Sequence, residues 1–97
     1  MILEETDHFI EIEIKLDDGT VIGHAEVEPN THTLERFRIY EPYRDKGYGQ
    51  QALDELMQKY MLRTLWVRSD NERAVHIYEK AGFKRVRETM FEMRAGD

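Results

Sequence analysis

A turn with two glycines lies near the middle of the sequence, in the stretch RDKGYGQ at positions 44–50. Gly47 and Gly49 let the backbone turn tightly and approach a ligand without a Cβ in the way. A helical pattern begins directly after them, and the first turn of a helix presents unpaired N–H groups and a positive dipole end. Arg44 and Lys46 add mobile positive charge beside those amides. The segment therefore predicts a phosphate-binding turn, suited to a pyrophosphate or a nucleotide phosphate.

Two other phosphate-binding motifs have to be weighed against this interpretation. Gly47-x-Gly49-x-x-Ala52 also satisfies the dinucleotide fingerprint, and Asp70 lies about the right distance on to act as its ribose-binding acid. That fingerprint belongs after the first strand of a parallel domain, whereas an antiparallel pattern precedes it here. A P-loop is weaker still, because the Gly-Lys-Ser/Thr that would hold phosphates and Mg²⁺ is missing.

Composition and charge exclude several other classes of site. The 97 residues contain no cysteine, which removes thiolate chemistry and fits a reducing compartment, so we expect a cytoplasmic protein. His8, His24, His32 and His76 lack ligand spacing, and we expect no metal. The net charge of -6 argues against a nucleic-acid partner. No stretch approaches the roughly 18 apolar residues of a membrane span, and no signal peptide is visible, so we expect no membrane partner and no export.

The charge is distributed unevenly along the chain. Residues 1–41 carry eleven acids against three bases, whereas residues 42–97 carry nine acids against eleven bases. The second half is therefore the better place for an anionic ligand.

The elements that must position the turn can be predicted from hydrophobic periodicity. Apolar and charged residues alternate over 8–16, a hairpin turn follows at 17–20, and further strand patterns occupy 21–28 and 33–40. These three runs predict an antiparallel meander. After Gly47 the spacing of Leu53, Leu56, Met57 and Tyr60 predicts a helix, followed by a short strand at 64–67. Such a strand, helix and strand form a right-handed crossover with parallel strands.

A second helix is predicted after this crossover. Ser69 and Glu72 have the spacing of a capping box, and Gly82 is placed to end the helix, with Phe83 packing back on its last turn. Residues 83–86 and 89–93 are predicted as closing strands. The fold class is therefore mixed α/β, an α+β mixed sheet in which antiparallel N-terminal strands precede a β-α-β-α-β unit. At this length one domain spanning 1–97 is expected.

Two motifs in this order resemble the GNAT N-acetyltransferases. Arg44-x-x-Gly47-x-Gly49 matches the family's acetyl-coenzyme A motif, Gln/Arg-x-x-Gly-x-Gly/Ala. NERAVHIYEKAGF at 71–83 is similar to its second signature, Asn-x-x-Ala-x-x-x-Tyr-Glu-Lys-x-Gly-Phe, at the expected distance. IYEPYR at 39–44 is similar to the family's run into the turn, with the proline shifted by one position. The resemblance covers roughly 26–93.

The resemblance implies a site for acetyl-CoA as cosubstrate and an amine as acceptor. The amides of residues 46–50 would hold the pyrophosphate, and the backbone of residues 39–41 would line the pantetheine arm where the two parallel strands part. Asn71 would contact the pantetheine or orient the loop, and Tyr78 would protonate the departing thiolate; its structural alternative is a packed helix tyrosine. The cofactor-binding residues implied are Ile39, Tyr40, Glu41, Arg44, Asp45, Lys46, Gly47, Tyr48, Gly49, Gln50, Asn71 and Tyr78.

Transfer to an amine also needs a base, because an amine of pKa about 10.4 is protonated near pH 7. Glu35 and Glu26, on adjacent strands, are candidates, although the commoner interpretation of each is a solvated strand residue. A backbone N–H near Tyr40 is the expected donor to the oxyanion of the tetrahedral intermediate. The predicted reaction is direct acetyl transfer to a primary amine, of a small molecule or of a protein or peptide.

The sequence departs from the family at its N-terminus. Most members begin with a strand and two helices that cover the acceptor site, and here about seven residues precede the first predicted strand. This leaves open a cleft for a protein or peptide acceptor, a site completed by a second copy in a homodimer, or a non-catalytic acyl-CoA-binding or regulatory module.

Overall fold

The computed structural model describes residues 1–6 and 11–85, together with the backbone of 92–95. The strands are β1 (Ile2–Glu5), β2 (Glu11–Lys15), β3 (Val21–Glu28), β4 (Thr33–Ile39), β5 (Thr64–Trp66), β6 (Phe83–Arg85) and β7 (Glu92–Ala95). The helices are α1 (Tyr48–Tyr60) and α2 (Glu72–Lys80), and a short 3₁₀ turn occupies Glu41–Tyr43. These strands form a seven-stranded sheet of order β1-β2-β3-β4-β5-β7-β6, which confirms the predicted fold class.

The first four strands form the predicted antiparallel meander. Ile12 and Ile14 are buried on one face of β2, whereas the glutamates between and beside them are only half-buried on the other face. This alternation is the reason that these residues form a strand with one face on the core. β1 was not predicted; it lies at the edge of the sheet and is mostly exposed, with Leu3 alone among its four residues half-buried against the core.

The predicted crossover is confirmed. β4 and β5 are parallel neighbours, and α1 connects them. Ala52, Leu53 and Leu56 are the buried residues of α1, at the spacing that places them on one helix face. Among the residues whose burial is described, fifteen apolar side chains form the core. The largest of those that are fully buried are Phe83, Ile12, Ile14, Ile22, Leu34, Leu53, Leu56, Leu65 and Val27.

The start of α2 differs from the prediction. The helix begins at Glu72 with Asn71 as its N-cap, because the Asn71 side chain accepts a hydrogen bond from the Ala74 N–H at 3.2 Å. The predicted capping box at Ser69 is therefore wrong. Asn71 is an equally good N-cap and lies directly before Glu72, the first residue of the helix. Gly82 follows the helix at φ +103° and donates its N–H to the Glu79 carbonyl at 3.0 Å, as predicted for a terminating glycine.

Some predicted boundaries fall outside the described residues. The strand predicted over 8–16 is described from Glu11 onward, and the closing strands predicted at 83–86 and 89–93 are described as β6 and β7. The strand predicted over 33–40 ends at Ile39, and the one predicted over 64–67 ends at Trp66.

Candidate functional site

The candidate site lies where β4 and β5 part. The two strands pair only through Thr33 with Thr64 and Leu34 with Leu65. In the ladder between β3 and β4, Glu26 pairs with Arg36 but Val27 pairs with Leu34, so Glu35 is an extra, bulged residue. A bulge bends its strand and interrupts pairing. β4 therefore leaves β5 directly after the bulge and continues to Ile39 along an open gap.

The backbone of β4 presents polar groups to this gap. The Tyr40 N–H donates to the Ile22 carbonyl of β3 at 2.8 Å. Because alternate residues of an antiparallel ladder direct their backbone groups to opposite sides, Phe37 and Ile39 direct theirs away from β3 and toward the gap. The Tyr40 N–H itself is engaged, and the Ile39 N–H is the neighbouring backbone donor that faces the gap.

A cavity of about 540 Å³ occupies the gap. Its walls are the end of β4, the glycine turn with the start of α1, and one side of α2. The lining residues are Phe37, Arg38, Ile39, Arg44, Asp45, Gly47, Gly49, Gln50, Asn71, Arg73, Ala74, His76, Ile77, Tyr78 and Lys80. The two sequence motifs, 24 residues apart from Gly47 to Asn71, thus meet at one cavity.

The glycine turn has the geometry that a ligand-binding loop requires. Gly47 is the N-cap of α1 at φ +84°, a conformation that strongly favours glycine, and no side chain caps the helix. A Cβ on Gly49 would lie 3.7 Å from Ile77 Cδ1 and 3.8 Å from Ile39 Cγ1, so the protein itself leaves room for it. Glycine is therefore not required here by packing. Its missing Cβ leaves the gap between Ile39 and Ile77 unfilled, beside the uncapped amides of α1.

Charged side chains surround the turn. Arg44 Nε donates to the Ile39 carbonyl at 2.8 Å, which ties the turn to the end of β4. Asp45 forms an ion pair with Arg73 of α2, with 2.8 Å between Oδ1 and Nη2. Both partners are exposed, so the pair is worth little to stability, but it spans two walls of the cavity.

Tyr78 lies on the cavity wall with only 6% of its surface exposed. Its ring packs between Phe37 and Phe83, with centroid distances of 6.4 and 6.3 Å. Burial raises the pKa of its hydroxyl to about 12. Within the described part of the chain, no group forms a hydrogen bond with this hydroxyl, which is unusual for a buried polar atom. A protonated donor is thus held at the cavity with no partner among the residues that the structure describes.

The structure brings most of the predicted site residues together and leaves some apart. Eight of them line the cavity: Ile39, Arg44, Asp45, Gly47, Gly49, Gln50, Asn71 and Tyr78. The side chains of Tyr40, Glu41, Lys46 and Tyr48 are not among the lining residues. Glu35 is exposed on the bulge, also outside the lining, and the Glu26 carboxylate is occupied by Arg36, with 3.6 Å between Oε2 and Nε.

Seven lining residues were not predicted. They are Phe37, Arg38, Arg73, Ala74, His76, Ile77 and Lys80. Arg73, His76, Ile77 and Lys80 follow the i, i+3, i+4, i+7 spacing of one helix face, which was visible in the sequence. A helix face of cations and one isoleucine is typical of a solvent-exposed surface, and it indicates a binding site only once the helix is placed beside the glycine turn.

The described residues contain neither a cluster suited to a metal ion nor a membrane-spanning helix. Among the described residues, no group of histidine, aspartate and glutamate side chains has the arrangement of a metal site. Neither described helix is long and apolar enough to cross a membrane.

A mixed sheet with a glycine turn at the parting of its parallel strands defines the class of acyl-CoA N-acyltransferase folds, and solved members of that class superimpose on this chain. One is an acyl-CoA N-acyltransferase described from Klebsiella pneumoniae, with a TM-score of 0.66 at 17% identity, over 88% of this chain and 70% of its own. The sequence model of the Acetyltransferase (GNAT) family matches residues 2–83. The chain belongs to this family, which confirms the resemblance found in the motifs.

Relatives with higher identity are also N-acetyltransferases by description. The uncharacterized N-acetyltransferase YycN of Bacillus subtilis is 36% identical over 91 residues, covering 82% of this chain and 58% of YycN. Its crystal structure has a TM-score of 0.67 at 31% identity, over 79% of this chain and 56% of its own. This chain thus spans little more than half the length of that relative. The PaiA N-acetyltransferase of Thermoplasma acidophilum, solved in complex with coenzyme A, has a TM-score of 0.67 at 23% identity, over 91% of this chain and 60% of its own.

Proposed function

We propose that this protein is an N-acetyltransferase that moves an acetyl group from acetyl-CoA directly to a primary amine. The observation that carries the proposal is the Tyr78 hydroxyl, which is buried, protonated and without a described partner on the wall of a cavity that begins at the glycine turn. A proton donor in that position could protonate the thiolate that leaves when acetyl-CoA, bound through its phosphates at the glycine turn, gives up its acetyl group.

The cavity fits coenzyme A in three respects. The amides at the start of α1 carry no side-chain cap, so they are available to a pyrophosphate. Gly49 carries no Cβ between Ile77 and Ile39, so a phosphate can approach those amides closely. A volume of about 540 Å³ is within the usual range for small-molecule sites. Beside these three features, the backbone groups of Phe37 that face the gap suit the amides of a pantetheine arm.

The proposed chemistry uses few residues of this chain. Bound acetyl-CoA supplies an activated thioester carbonyl. The attacking amine must lose one proton, and we assign its removal to Glu35, because the alternative Glu26 is paired with Arg36. The Ile39 N–H would stabilise the oxygen that becomes negative as the new C–N bond forms. When the C–S bond breaks, Tyr78 would donate its proton to the thiolate and recover one from solvent.

Glu35 is exposed on the bulge and does not line the cavity, which bears on the acceptor. An amine bound beside the bulge would have to reach a cosubstrate bound in the gap. The acceptor itself is left as a primary amine of a small molecule, a protein or a peptide. Spermidine is one sensible member of a test panel, because the spermidine N-acetyltransferase SpeG of Vibrio cholerae shares the fold, with a TM-score of 0.58 at 19% identity, over 92% of this chain and 67% of its own.

A non-catalytic acyl-CoA-binding module is the second candidate. It is favoured by the exposure of Glu35 outside the cavity lining. Such a module would bind acetyl-CoA at the same turn but transfer nothing.

Calorimetric titration with acetyl-CoA, with NAD as the control ligand, tests the proposal. We expect acetyl-CoA to bind and NAD not to, with binding lost in Gly49→Glu, whose carboxylate would enter the phosphate site. Gln51→Glu is the matched control, since it adds the same charge to an exposed position of α1 outside the cavity lining. Binding is then followed by thiol release over the amine panel. Absence of acetyl-CoA binding would contradict the proposal, and binding without release on any amine would favour the module.

A further inference from the structure

Three side chains of α2 form a basic stripe along the cavity. Arg73, His76 and Lys80 are all exposed and all line the cavity, and their spacing of three and four places them on one face of the helix. We call these three residues the α2 stripe. The proposed chemistry at Tyr78 uses none of them, so the function assigned above leaves the stripe unexplained.

The stripe makes the cavity positive in a negative protein. The lining contains four permanent cations, Arg38, Arg44, Arg73 and Lys80, against one carboxylate, Asp45, although the whole chain has a net charge of -6. Asp45 engages Arg73. Among the described residues, neither His76 nor Lys80 takes part in an ion pair or a side-chain hydrogen bond. Cations left without partners on a concave wall attract an anionic ligand.

The anion that suits the stripe is distinct from the one that suits the glycine turn. The amides of Gly49 and its neighbours at the start of α1 lie on one wall and can hold a diphosphate, whereas the stripe lies on another wall. Coenzyme A carries two phosphorylated positions, the pyrophosphate and the ribose 3′-phosphate, separated by the ribose. We propose that the α2 stripe binds the ribose 3′-phosphate and that Asp45 positions Arg73 for it. The inference rests on the proposed function, since it names a further phosphate of the same cosubstrate.

The stripe would then determine specificity for the phosphorylated coenzyme. Hydrogen bonds between charged partners are stronger than neutral ones, and each corresponds to an affinity change of about tenfold or more. We expect the protein to bind coenzyme A at least about tenfold more tightly than dephospho-coenzyme A, which lacks only the 3′-phosphate. This preference should weaken as salt is added, because exposed charges are screened.

The test is calorimetric titration of four proteins with both coenzymes. The proteins are the unmodified chain, Arg73→Gln, Lys80→Gln and the control Arg68→Gln. Arg68 is an exposed arginine paired with Asp70 through a 3.0 Å contact, which matches Arg73 in type and exposure but lies outside the cavity lining. All three substitutions are at exposed positions, and circular dichroism would verify that each variant is folded.

We expect Arg73→Gln and Lys80→Gln each to weaken coenzyme A binding by about fivefold to tenfold and to leave dephospho-coenzyme A binding within about twofold. Arg68→Gln should change neither. An equal loss for both coenzymes would overturn the inference and assign the stripe to the pyrophosphate, and no loss for either would overturn it as well. Failure of the unmodified chain to bind any form of coenzyme A would instead contradict the proposed function itself.

Discussion

Replacing Tyr78 with phenylalanine isolates the role of one oxygen atom. The ring would keep its position between Phe37 and Phe83, and no described hydrogen bond would be lost, because the hydroxyl has no described partner. We therefore expect the free energy of unfolding to change by less than about 1 kcal/mol near neutral pH. The affinity for acetyl-CoA should be similar in the two proteins, since the thiolate to be protonated does not exist in the bound thioester.

The expected loss of turnover is much larger than the loss of stability. A positioned general acid contributes about 10²-fold to 10⁴-fold to a rate, which corresponds to roughly 2.7–5.4 kcal/mol of transition-state free energy. Because burial raises the pKa of Tyr78 to about 12, the donor stays protonated at any pH used for the assay. The loss should therefore be nearly constant between about pH 7 and pH 10.

The assay is thiol release at saturating acetyl-CoA, with kcat and KM determined for each protein. Tyr60→Phe is the matched control, because its hydroxyl donates to Glu5 Oε1 at 2.7 Å, away from the cavity lining. We expect Tyr60→Phe to retain turnover. A folded Tyr78→Phe protein that kept half or more of kcat would refute the acid role and leave Tyr78 as a packed core residue.

Three further predictions follow from the described geometry. Gly49→Ala should stabilise the protein by about 0.5–1 kcal/mol, because alanine favours helix and the new methyl meets only ordinary contacts. The same substitution should weaken acetyl-CoA binding. Thermal unfolding and calorimetry measure the two effects, and an unchanged affinity would contradict the proposed phosphate site at the glycine turn. Asn71→Ala should cost about 1 kcal/mol through the lost cap of α2, measurable by urea unfolding, with Ser69→Ala unaffected. Between pH 10 and 12 the free energy of unfolding should fall, because the unfolded Tyr78 ionises near 10 but the folded one near 12; the contribution lost at pH 11 is about 1.4 kcal/mol, and Tyr78→Phe should lack it in urea titrations.

Local signals in the sequence were sufficient for most of the fold. Ile12 and Ile14 alternate with polar residues, and Leu53 and Leu56 have helical spacing. In both cases the buried residues recur with the period of the element, so the element can be predicted from the sequence around them. β1 lacked such a signal, because this edge strand places only Leu3 against the core and is otherwise held by backbone pairing with β2. The N-cap of α2 was misplaced for a related reason: Ser69 and Asn71 both have capping side chains, and only the path of the chain chooses between them.

The candidate site was predictable where backbone geometry required a particular residue. Gly47 at φ +84° and the motif containing Asn71 and Tyr78 were both visible in the sequence. The bulge at Glu35 was not, because it depends on the register between β3 and β4 and leaves no mark on residue type. The α2 stripe was also missed, since a charged helix face usually indicates contact with solvent. Only the position of α2 across the cavity from the glycine turn indicates that this face can bind a ligand.

The short pairing between β4 and β5 affects how the protein could be studied without knowledge of its acceptor. Only two residue pairs join the meander to the rest of the sheet, and the cavity lies beside that junction. A molecule bound there contacts both parts, and it has no affinity for a state in which they have separated. At a concentration one hundred times its Kd, such a ligand adds about 2.7 kcal/mol to the free energy of unfolding, or roughly 10–20 °C in Tm for a domain of this size. Melting curves against a library of acyl-coenzymes and amines would therefore reveal ligands before any reaction is known.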